Sequence, residues 1–254
     1  MDPRPFEMDA SGREESNRAY YDAFSAGYER HRGENDPGGY HELVDELESG
    51  LVARYGAGRD VLEVGCGTGL VLSRIRRFAR TARGVDLSPG MLALARARGL
   101  DVQEGSATAL PFASSTFDVT CSFKVLAHVP EIERALSEML RVTRPGGHVL
   151  AEFYNPVSLR GVVKRFGPSG SIAAAARESD VYTRFDSPGA VKKLVPAGGM
   201  LVATRGVRIV TPAAVAMKVP VLGAALKLAE RALCDTKLSF FGGFFIAVIQ
   251  KGPA

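Results

Sequence analysis

A chain of 254 residues, 46% of them hydrophobic, is long enough to bury a large core. Its 32 cationic and 28 acidic side chains nearly balance, so the composition does not demand a nucleic acid or another polyanionic partner. Three widely separated cysteines lack the spacing of a disulfide framework or a zinc site. We therefore expect a reducing, cytoplasmic setting and no bound metal.

The N-terminal part of the chain divides into two segments. Residues 1–15 are charged and lack apolar periodicity, which predicts a flexible leader, and no apolar stretch of an export signal is seen there. Residues 16–57 are predicted to form a helical cover, because Tyr20, Phe24 and Tyr28 recur every four residues and HELVDELESGLVARY continues a helical pattern.

The remaining residues, 58–254, are expected to continue the same domain, which would then span residues 16–254. Short apolar strands alternate with amphipathic helices over residues 58–155, which is typical of a parallel sheet with helices on both faces, an α/β fold. Residues 156–254 are predicted to add the substrate side and the strands that close the sheet. The apolar insertion at residues 212–236 could be a lid or a helix packed on the sheet edge. The longest apolar run, FFGGFFIAVI, is too short to span a membrane and predicts a buried strand.

The stretch VLEVGCGTG runs from the first predicted strand into the turn that follows it, at the edge where such sheets bind ligands. A dinucleotide fingerprint would require a glycine at position 70 or 72, but Leu70 and Leu72 stand there. The pattern E-x-G-x-G-x-G instead resembles motif I of the class I methyltransferases, and the resemblance extends over roughly residues 59–155. It implies a Rossmann-like sheet of seven mostly parallel strands with the last strand antiparallel. It also implies the cofactor S-adenosyl-L-methionine, which becomes S-adenosyl-L-homocysteine.

The same resemblance implies cofactor contacts at the ends of the first four strands. Glu63 would hold the methionine ammonium, and Asp86 would accept the two ribose hydroxyls. Ser106 stands where the family has an acid that receives the adenine amino group, so a weaker contact is expected there, partly through the backbone of Ala107. The expected cofactor residues are Tyr21, Glu63, Gly65, Cys66, Gly67, Gly69, Asp86, Leu87, Ser106, Ala107 and Phe123.

Methyl transfer requires an aligned acceptor, exclusion of water and removal of a proton when the acceptor is a hydroxyl. His128, after the fourth strand, and His41, before the second helix, are the candidate bases, with structural roles as the alternative. Tyr21 lies in a segment that covers the cofactor in similar enzymes, although helical spacing is also explained by core packing. The expected substrate contacts are Tyr40, Lys124 and Asn155.

These features predict an S-adenosylmethionine-dependent methyltransferase (EC 2.1.1) that acts on a small organic acceptor, with O-methylation favoured and N- or C-methylation open. One alternative is an RNA or protein methyltransferase, for which RIRRFARTAR would be the basic surface. Another is a module that binds the cofactor without turning it over. No nucleic-acid partner and no membrane span are expected, and apolar helices outside the sheet could pair two subunits into a homodimer.

Overall fold

The strands of the chain form one seven-stranded sheet in the computed structural model, which describes residues 9–31, 39–158 and 182–253. The strand order is β3-β2-β1-β4-β5-β7-β6, and β7 runs antiparallel to β5 and β6 while the other paired strands are parallel. This confirms the predicted α/β, Rossmann-like sheet. The strands are β1 Asp60–Val64, β2 Thr81–Asp86, β3 Asp101–Glu104, β4 Phe117–Ser122, β5 Thr143–Tyr154, β6 Gly199–Val207 and β7 Phe244–Lys251.

Helices cover both faces of this sheet. Their bounds are α1 Ala10–His31, α2 Tyr40–Gly56, α3 Leu70–Ile75, α4 Pro89–Ala97, α5 Ile132–Val142, α6 Pro188–Lys193 and α7 Pro220–Leu233. Successive residues of β1 point to opposite faces, so Val61 packs with α2 and α3 while Leu62 packs with α5 and α6. None of the helices in the described ranges combines the length and apolarity needed to cross a membrane.

Helix α1 begins six residues before the expected boundary of the leader. The Oδ1 atom of Asp9 accepts a hydrogen bond from the backbone N of Gly12 at 2.8 Å, and its carbonyl accepts from Arg13 N at 3.0 Å. These bonds cap the first turn, and the Ala, Arg and Glu residues that follow favour a helix without any apolar periodicity. The helix thus includes residues 10–15 of the predicted leader, and residues 1–8 lie outside the described ranges. The division of the chain at residue 16 stays a prediction.

The predicted helical insertion before the last strand is confirmed as α7. The carboxylate of Glu230 is buried and accepts hydrogen bonds at 2.9 Å from the three backbone N–H groups of residues 209–211, which follow β6. Arg231 forms an ion pair with Glu46 of α2 at 2.8 Å. These contacts attach α7 to the end of β6 and to α2, which favours the edge helix over the lid.

Candidate cofactor-binding and active site

Three glycines with positive φ carry the chain from β1 into α3. Gly65, Gly67 and Gly69 have φ of +74°, +53° and +83°, a region that favours glycine. A Cβ atom on Gly65 would lie 2.2 Å from Val125 Cγ2, and one on Gly69 would lie 2.2 Å from Leu100 Cδ1. A Cβ on Gly67 would meet nothing within 4 Å. The outer glycines thus permit close packing, whereas the backbone of Gly67 is open to an approaching ligand.

Asp86, the last residue of β2, holds this turn in place. Its Oδ2 accepts a hydrogen bond from Gly67 N at 2.8 Å, and its Oδ1 accepts one from Ser88 N at 2.9 Å. Burial raises the pKa of the Asp86 carboxyl above its usual value, and these N–H donors oppose the shift. Each carboxylate oxygen offers a second lone pair. Asp86 can therefore support the loop and still accept hydroxyl groups of a ligand.

Four buried carboxyl groups surround the ammonium group of Lys124 near the ends of β1, β4 and β5. We call Asp45, Glu48, Glu63, Glu152 and Lys124 the buried charge cluster. Lys124 Nζ lies 2.6 Å from both carboxylate oxygens of Glu48, and the backbone N of Lys124 donates to Glu152 Oε1 at 2.9 Å. Lys124 itself adopts a φ of +60°, which is unusual for a residue with a side chain.

The buried charge cluster is short of hydrogen-bond donors. Within the described ranges, Glu63 Oε2 and Glu152 Oε2 are buried without a partner. Burial, and then the proximity of Glu48, raise the pKa of both Glu63 and Glu152 well above its usual range. No group of described His, Cys, Asp and Glu side chains is arranged to hold a metal ion. A ligand ammonium at Glu63 would therefore supply a donor and a positive charge that the cluster lacks.

We expect the free energy of unfolding to decrease as the pH rises above 4.5, the ordinary pKa of glutamate. The folded-state pKa of Glu152 is raised, so its stabilising contribution is complete below the unfolded-state pKa and is lost as pH rises through the folded-state pKa. Glu152→Gln retains an oxygen acceptor for Lys124 N but does not titrate. Urea unfolding from about pH 5 to about pH 9 should therefore show a shallower decrease for the variant. Parallel curves for the two proteins would contradict this assignment.

Helix α1 lies over the carboxyl-terminal edge of the sheet. Asp22 Oδ1 accepts a hydrogen bond at 2.6 Å from Gly90 N, in the first turn of α4. Asn17 Nδ2 donates to the backbone O of His128, after β4, at 2.8 Å. Both contacts join α1 to segments that follow parallel strands, and these strand ends are where such sheets bind ligands. The predicted N-terminal cover is thus in contact with the expected cofactor crevice.

His128 ends the short 3-10 helix Leu126–His128 that follows β4. Its Nδ1 lies 3.0 Å from the backbone O of Tyr182 and 3.2 Å from Thr183 Oγ1. Because a carbonyl oxygen can only accept a hydrogen bond, we assign the proton to Nδ1 and the free lone pair to Nε2. Burial lowers the pKa of His128, although the Tyr182 hydrogen bond opposes this effect. The ring is therefore neutral near pH 7 and can accept a proton at Nε2.

Aromatic rings continue from His128 along the same edge of the sheet. The ring centroid of His128 lies 6.0 Å from that of Tyr21 and 5.7 Å from that of Tyr154. The Tyr154 ring in turn lies 5.4 Å from Phe244 and 6.1 Å from Phe185, and 61% of Phe185 is exposed. Burial raises the pKa of both tyrosine hydroxyls, so they remain protonated donors. We call these five residues the aromatic row.

Comparison with known proteins identifies a domain within this architecture. Residues 62–151 match the family model described as a methyltransferase domain. A probable S-adenosylmethionine-dependent methyltransferase of Mycolicibacterium smegmatis is 38% identical over 120 residues, which cover 46% of this chain and 45% of that protein. A demethylmenaquinone methyltransferase of Renibacterium salmoninarum is 46% identical over 103 residues, covering 39% and 43%. The chain spans less than half the length of these curated relatives.

Solved structures agree on the fold. The [4+2]-cyclase SpnF superposes with a TM-score of 0.65 at 22% identity, covering 95% of this chain and 97% of its own. A possible histamine N-methyltransferase of Thermotoga maritima gives a TM-score of 0.63 at 20% identity, covering 92% and 98%. Residues 62–151 thus carry a methyltransferase domain, and the relatives and the fold support its assignment to the class I, S-adenosylmethionine-dependent methyltransferases. The cofactor of this family is S-adenosylmethionine.

The structure brings most of the predicted cofactor residues of the methyltransferase domain to one edge of the sheet. Glu63 and Asp86 influence each other electrostatically across neighbouring strands, and Asp86 also acts on Tyr21 of the cover helix. The remaining members lie in or directly after β1 to β4, namely Gly65, Cys66, Gly67, Gly69, Leu87, Ser106, Ala107 and Phe123. Their contact with the cofactor stays a prediction.

Asn155, directly after β5, is held by hydrogen bonds within the protein. Its side chain is 3% exposed, and its Nδ2 donates to Phe240 O at 2.8 Å and to Gly242 O at 2.9 Å. Its Oδ1 accepts a hydrogen bond from Val157 N at 3.0 Å. These bonds use both amide hydrogens and tie the end of β5 to the loop before β7. They favour a structural role over the expected substrate contact.

Tyr40 and His41 are the first two residues of α2. The Tyr40 ring is buried, with its centroid 5.1 Å from the Arg208 guanidinium and 5.0 Å from the His41 ring. Packing against Arg208 accounts for the position of Tyr40 without a substrate. Of the two candidate bases, the structure thus places only His128 in the aromatic row.

The partners of Lys124 and the aromatic residue at the end of β5, Tyr154, could not be assigned from the sequence. Glu48 occupies the buried face of α2 together with Leu47 and Leu51, so its spacing signalled a charge inside the core. Glu152 stands within an apolar strand in the same way. Both positions could have been recognised as buried acids, but no sequence pattern indicated that they share one lysine.

Proposed function

We propose that the protein transfers the methyl group of S-adenosylmethionine to a hydroxyl group of a small aromatic acceptor and releases S-adenosylhomocysteine. The observation that carries this proposal is the aromatic row, in which the His128 ring neighbours those of Tyr21 and Tyr154 and its Nδ1 is held by the Tyr182 carbonyl. Methylation at nitrogen or carbon of such an acceptor is the second candidate.

The cofactor is proposed to lie along the ends of β1, β2 and β3. Glu63 Oε2, buried without a partner among the described residues, would accept the methionine ammonium. The open backbone at Gly67 would allow close approach of the cofactor, and the second lone pairs of Asp86 would accept the ribose hydroxyls. The residues present thus fit a cationic amino acid joined to a nucleoside.

The acceptor is proposed to bind against the aromatic row. Offset or edge-to-face contacts between aromatic rings contribute beyond the apolar area they bury, and Tyr154 and Phe185 would form the wall for such a ring. The relative from Renibacterium salmoninarum is named a demethylmenaquinone methyltransferase, which is compatible with a quinone-like aromatic acceptor here. Lys124 and Tyr40 stay proposed contacts only for polar groups of the acceptor that reach beyond this row.

The chemistry requires one displacement and one proton transfer. The acceptor oxygen attacks the sulfonium methyl carbon, a new O–CH3 bond forms, and the S–CH3 bond breaks with its electron pair moving to sulfur. The acceptor proton moves to Nε2 of His128, whose Nδ1–H is held by the Tyr182 carbonyl. Helix α1, which contacts the segments after β2 and β4, is proposed to shield this step from water.

The alternative of an RNA substrate is weakened by the pairing of the basic stretch. Arg80 forms an ion pair with Asp60, and Arg83 forms one with Asp101 at 2.8 Å. Arg74 lies 3.6 Å from Glu42. These guanidinium groups already have acidic partners within the protein, so less of their charge is available to phosphates.

A cofactor-binding module without methyl transfer is the other alternative, and a specific observation supports keeping it. The structure that superposes with a TM-score of 0.65 is that of a [4+2]-cyclase, so this fold also occurs in a protein named for a different reaction. Turnover must therefore be measured directly.

The cellular setting and the assembly state are proposals of the same kind. The cysteines Cys66, Cys121 and Cys234 are buried free thiols, which fits the proposed reducing cytoplasm. The outer face of α7 exposes 84% of Val221 and 70% of Leu228, and this apolar surface supports a proposed homodimer.

Methyl transfer from labelled S-adenosylmethionine to pools of phenols, amines and quinone precursors tests the proposal. We expect label in the hydroxyl-bearing aromatic pool. Label only in the amine pool would overturn O-methylation, and binding of the cofactor with no labelled product in any pool would favour the non-methylating module.

A substitution in the aromatic row tests the acceptor wall. We expect Tyr154→Leu to raise the KM for an aromatic acceptor by about two- to tenfold, because one ring contact is lost. The matched control is Tyr55→Leu, since Tyr55 packs on His148 at 4.5 Å, away from the aromatic row. Equal KM values for the two variants would remove Tyr154 from the acceptor site.

A further inference from the structure

The hydroxyl group of Ser106 is fully engaged within the protein. Ser106 Oγ lies 3.0 Å from Glu14 Oε2 and 2.8 Å from Thr108 Oγ1, and it accepts a hydrogen bond from Thr108 N at 3.1 Å. A serine hydroxyl can donate one hydrogen bond and accept two. Donation to the Glu14 carboxylate and acceptance of the two Thr108 donors use this whole capacity. Ser106 is therefore poorly suited to receive an amino group from a ligand.

The carboxylate of Glu14, next to Ser106, can still accept hydrogen bonds. Glu14 belongs to the cover helix α1, is half-buried, and uses one of the roughly four lone-pair positions of its carboxylate for Ser106. Asn17 lies one turn further along the same helix face, is 5% exposed, and already donates to the backbone of His128. Its Oδ1 has no hydrogen-bond partner in the described part of the chain. The inner face of α1 thus brings two acceptors to the crevice.

The order of the strands places Glu14 beyond the ribose position, because its partner Ser106 follows β3. Strands β1, β2 and β3 are neighbours in the sheet, spaced about 4.8 Å apart. The cofactor would place its ammonium group at Glu63 of β1 and its ribose at Asp86 of β2. It would then continue in the same direction, toward the loop after β3. Its base therefore arrives where Glu14 meets Ser106.

We propose that Glu14 accepts the hydrogen bond from the exocyclic amino group of adenine in S-adenosylmethionine. The cover helix then supplies the acid that the loop after β3 lacks, with Ser106 orienting the Glu14 carboxylate. A carboxylate accepts from a 6-amino group but repels a 6-oxo group, so Glu14 also determines which base is bound. This inference rests on the proposed function, because it requires S-adenosylmethionine in the crevice.

Calorimetric binding of S-adenosylhomocysteine and S-inosylhomocysteine measures this selectivity, since the second ligand carries oxygen in place of the amino group. We expect the wild-type protein to bind S-adenosylhomocysteine at least about tenfold more tightly. Glu14→Gln should bring the two affinities close together, because a carboxamide can rotate to donate to the 6-oxo group. Glu15→Gln is the matched control, since Glu15 is exposed, and it should retain the wild-type ratio.

Restoring the acid on the loop provides an independent test. Glu14→Ala should lower the affinity for S-adenosylhomocysteine about tenfold, and Ser106→Asp added to it should recover most of the loss. The ratio of two affinities on one protein does not depend on the folded fraction. If the wild-type protein binds S-adenosylhomocysteine but Glu14→Gln leaves the ratio of the two affinities unchanged, the role of Glu14 is overturned and the proposed function is not affected. Failure of the wild-type protein to bind either ligand would instead overturn the proposed function.

Discussion

Gly67→Asn is expected to lower the affinity for S-adenosylhomocysteine by at least about 100-fold while the chain stays folded. A Cβ at Gly67 meets no atom within 4 Å, so the new side chain would project into the crevice instead of into the core. Asparagine tolerates the φ of +53° better than other residues with a side chain. Calorimetric titration and a thermal unfolding curve measure the two effects separately.

Gly146→Asn is the matched control for this substitution. Gly146 has a φ of +75° and also has open space around the position of a Cβ atom. It lies near the start of β5, however, at the opposite edge of the sheet from the glycine turn. Gly146→Asn should cause a similarly small loss of stability. It should bind S-adenosylhomocysteine with the wild-type affinity. If Gly67→Asn binds the ligand as the wild-type protein does, the cofactor does not approach this backbone.

His128→Ala is expected to reduce turnover by about 100- to 10,000-fold with the affinity for S-adenosylhomocysteine nearly unchanged. The base must be neutral, and burial lowers the pKa of His128 below 6.5. The wild-type rate should therefore stay constant as the pH falls to about 6.5 and decrease only in more acidic solution, and this decrease should be absent in the variant. Single-turnover rates across this pH range measure it.

His148→Gln is the control for the loss of an imidazole. His148 lies on β5 against Tyr55 and is paired with Gln250 of β7, outside the aromatic row. The turnover of the His148→Gln variant should equal that of the wild-type protein. An unchanged rate in His128→Ala would assign His128 to structure, where its carbonyl anchors Asn17 and its Nδ1 anchors the chain at Tyr182.

The layered fold and the glycine turn could be predicted because both depend on local properties of the chain. Alternation of short apolar strands with amphipathic helices determines which segments must be covered on both faces. Positive φ at Gly65, Gly67 and Gly69 favours glycine, so the motif is visible in the residues themselves. The start of α1 at residue 10 was not predicted, because its first turns have helix propensity but no apolar periodicity.

Within the site, periodicity predicted burial but could not identify partners. The Lys124–Glu48 ion pair joins residues 76 positions apart, and the Glu14–Ser106 hydrogen bond joins residues 92 positions apart. Asn155 stands at the substrate edge of the sheet, yet its amide is committed to the loop before β7. Such roles depend on distances and directions that exist only after the elements pack.

The sequence by itself thus determined the α/β layers and the glycine turn, because local conformational preference specifies them. The cofactor followed from the resemblance of that turn to motif I of the class I methyltransferases. The tertiary structure decided which groups have hydrogen-bonding capacity to spare. It left Glu63 Oε2 without a partner within the described ranges, used up the hydroxyl of Ser106, and placed Glu14 beside it. The physical reason is that a hydrogen bond is short and directional, so its existence depends on a meeting of segments that the local sequence does not encode.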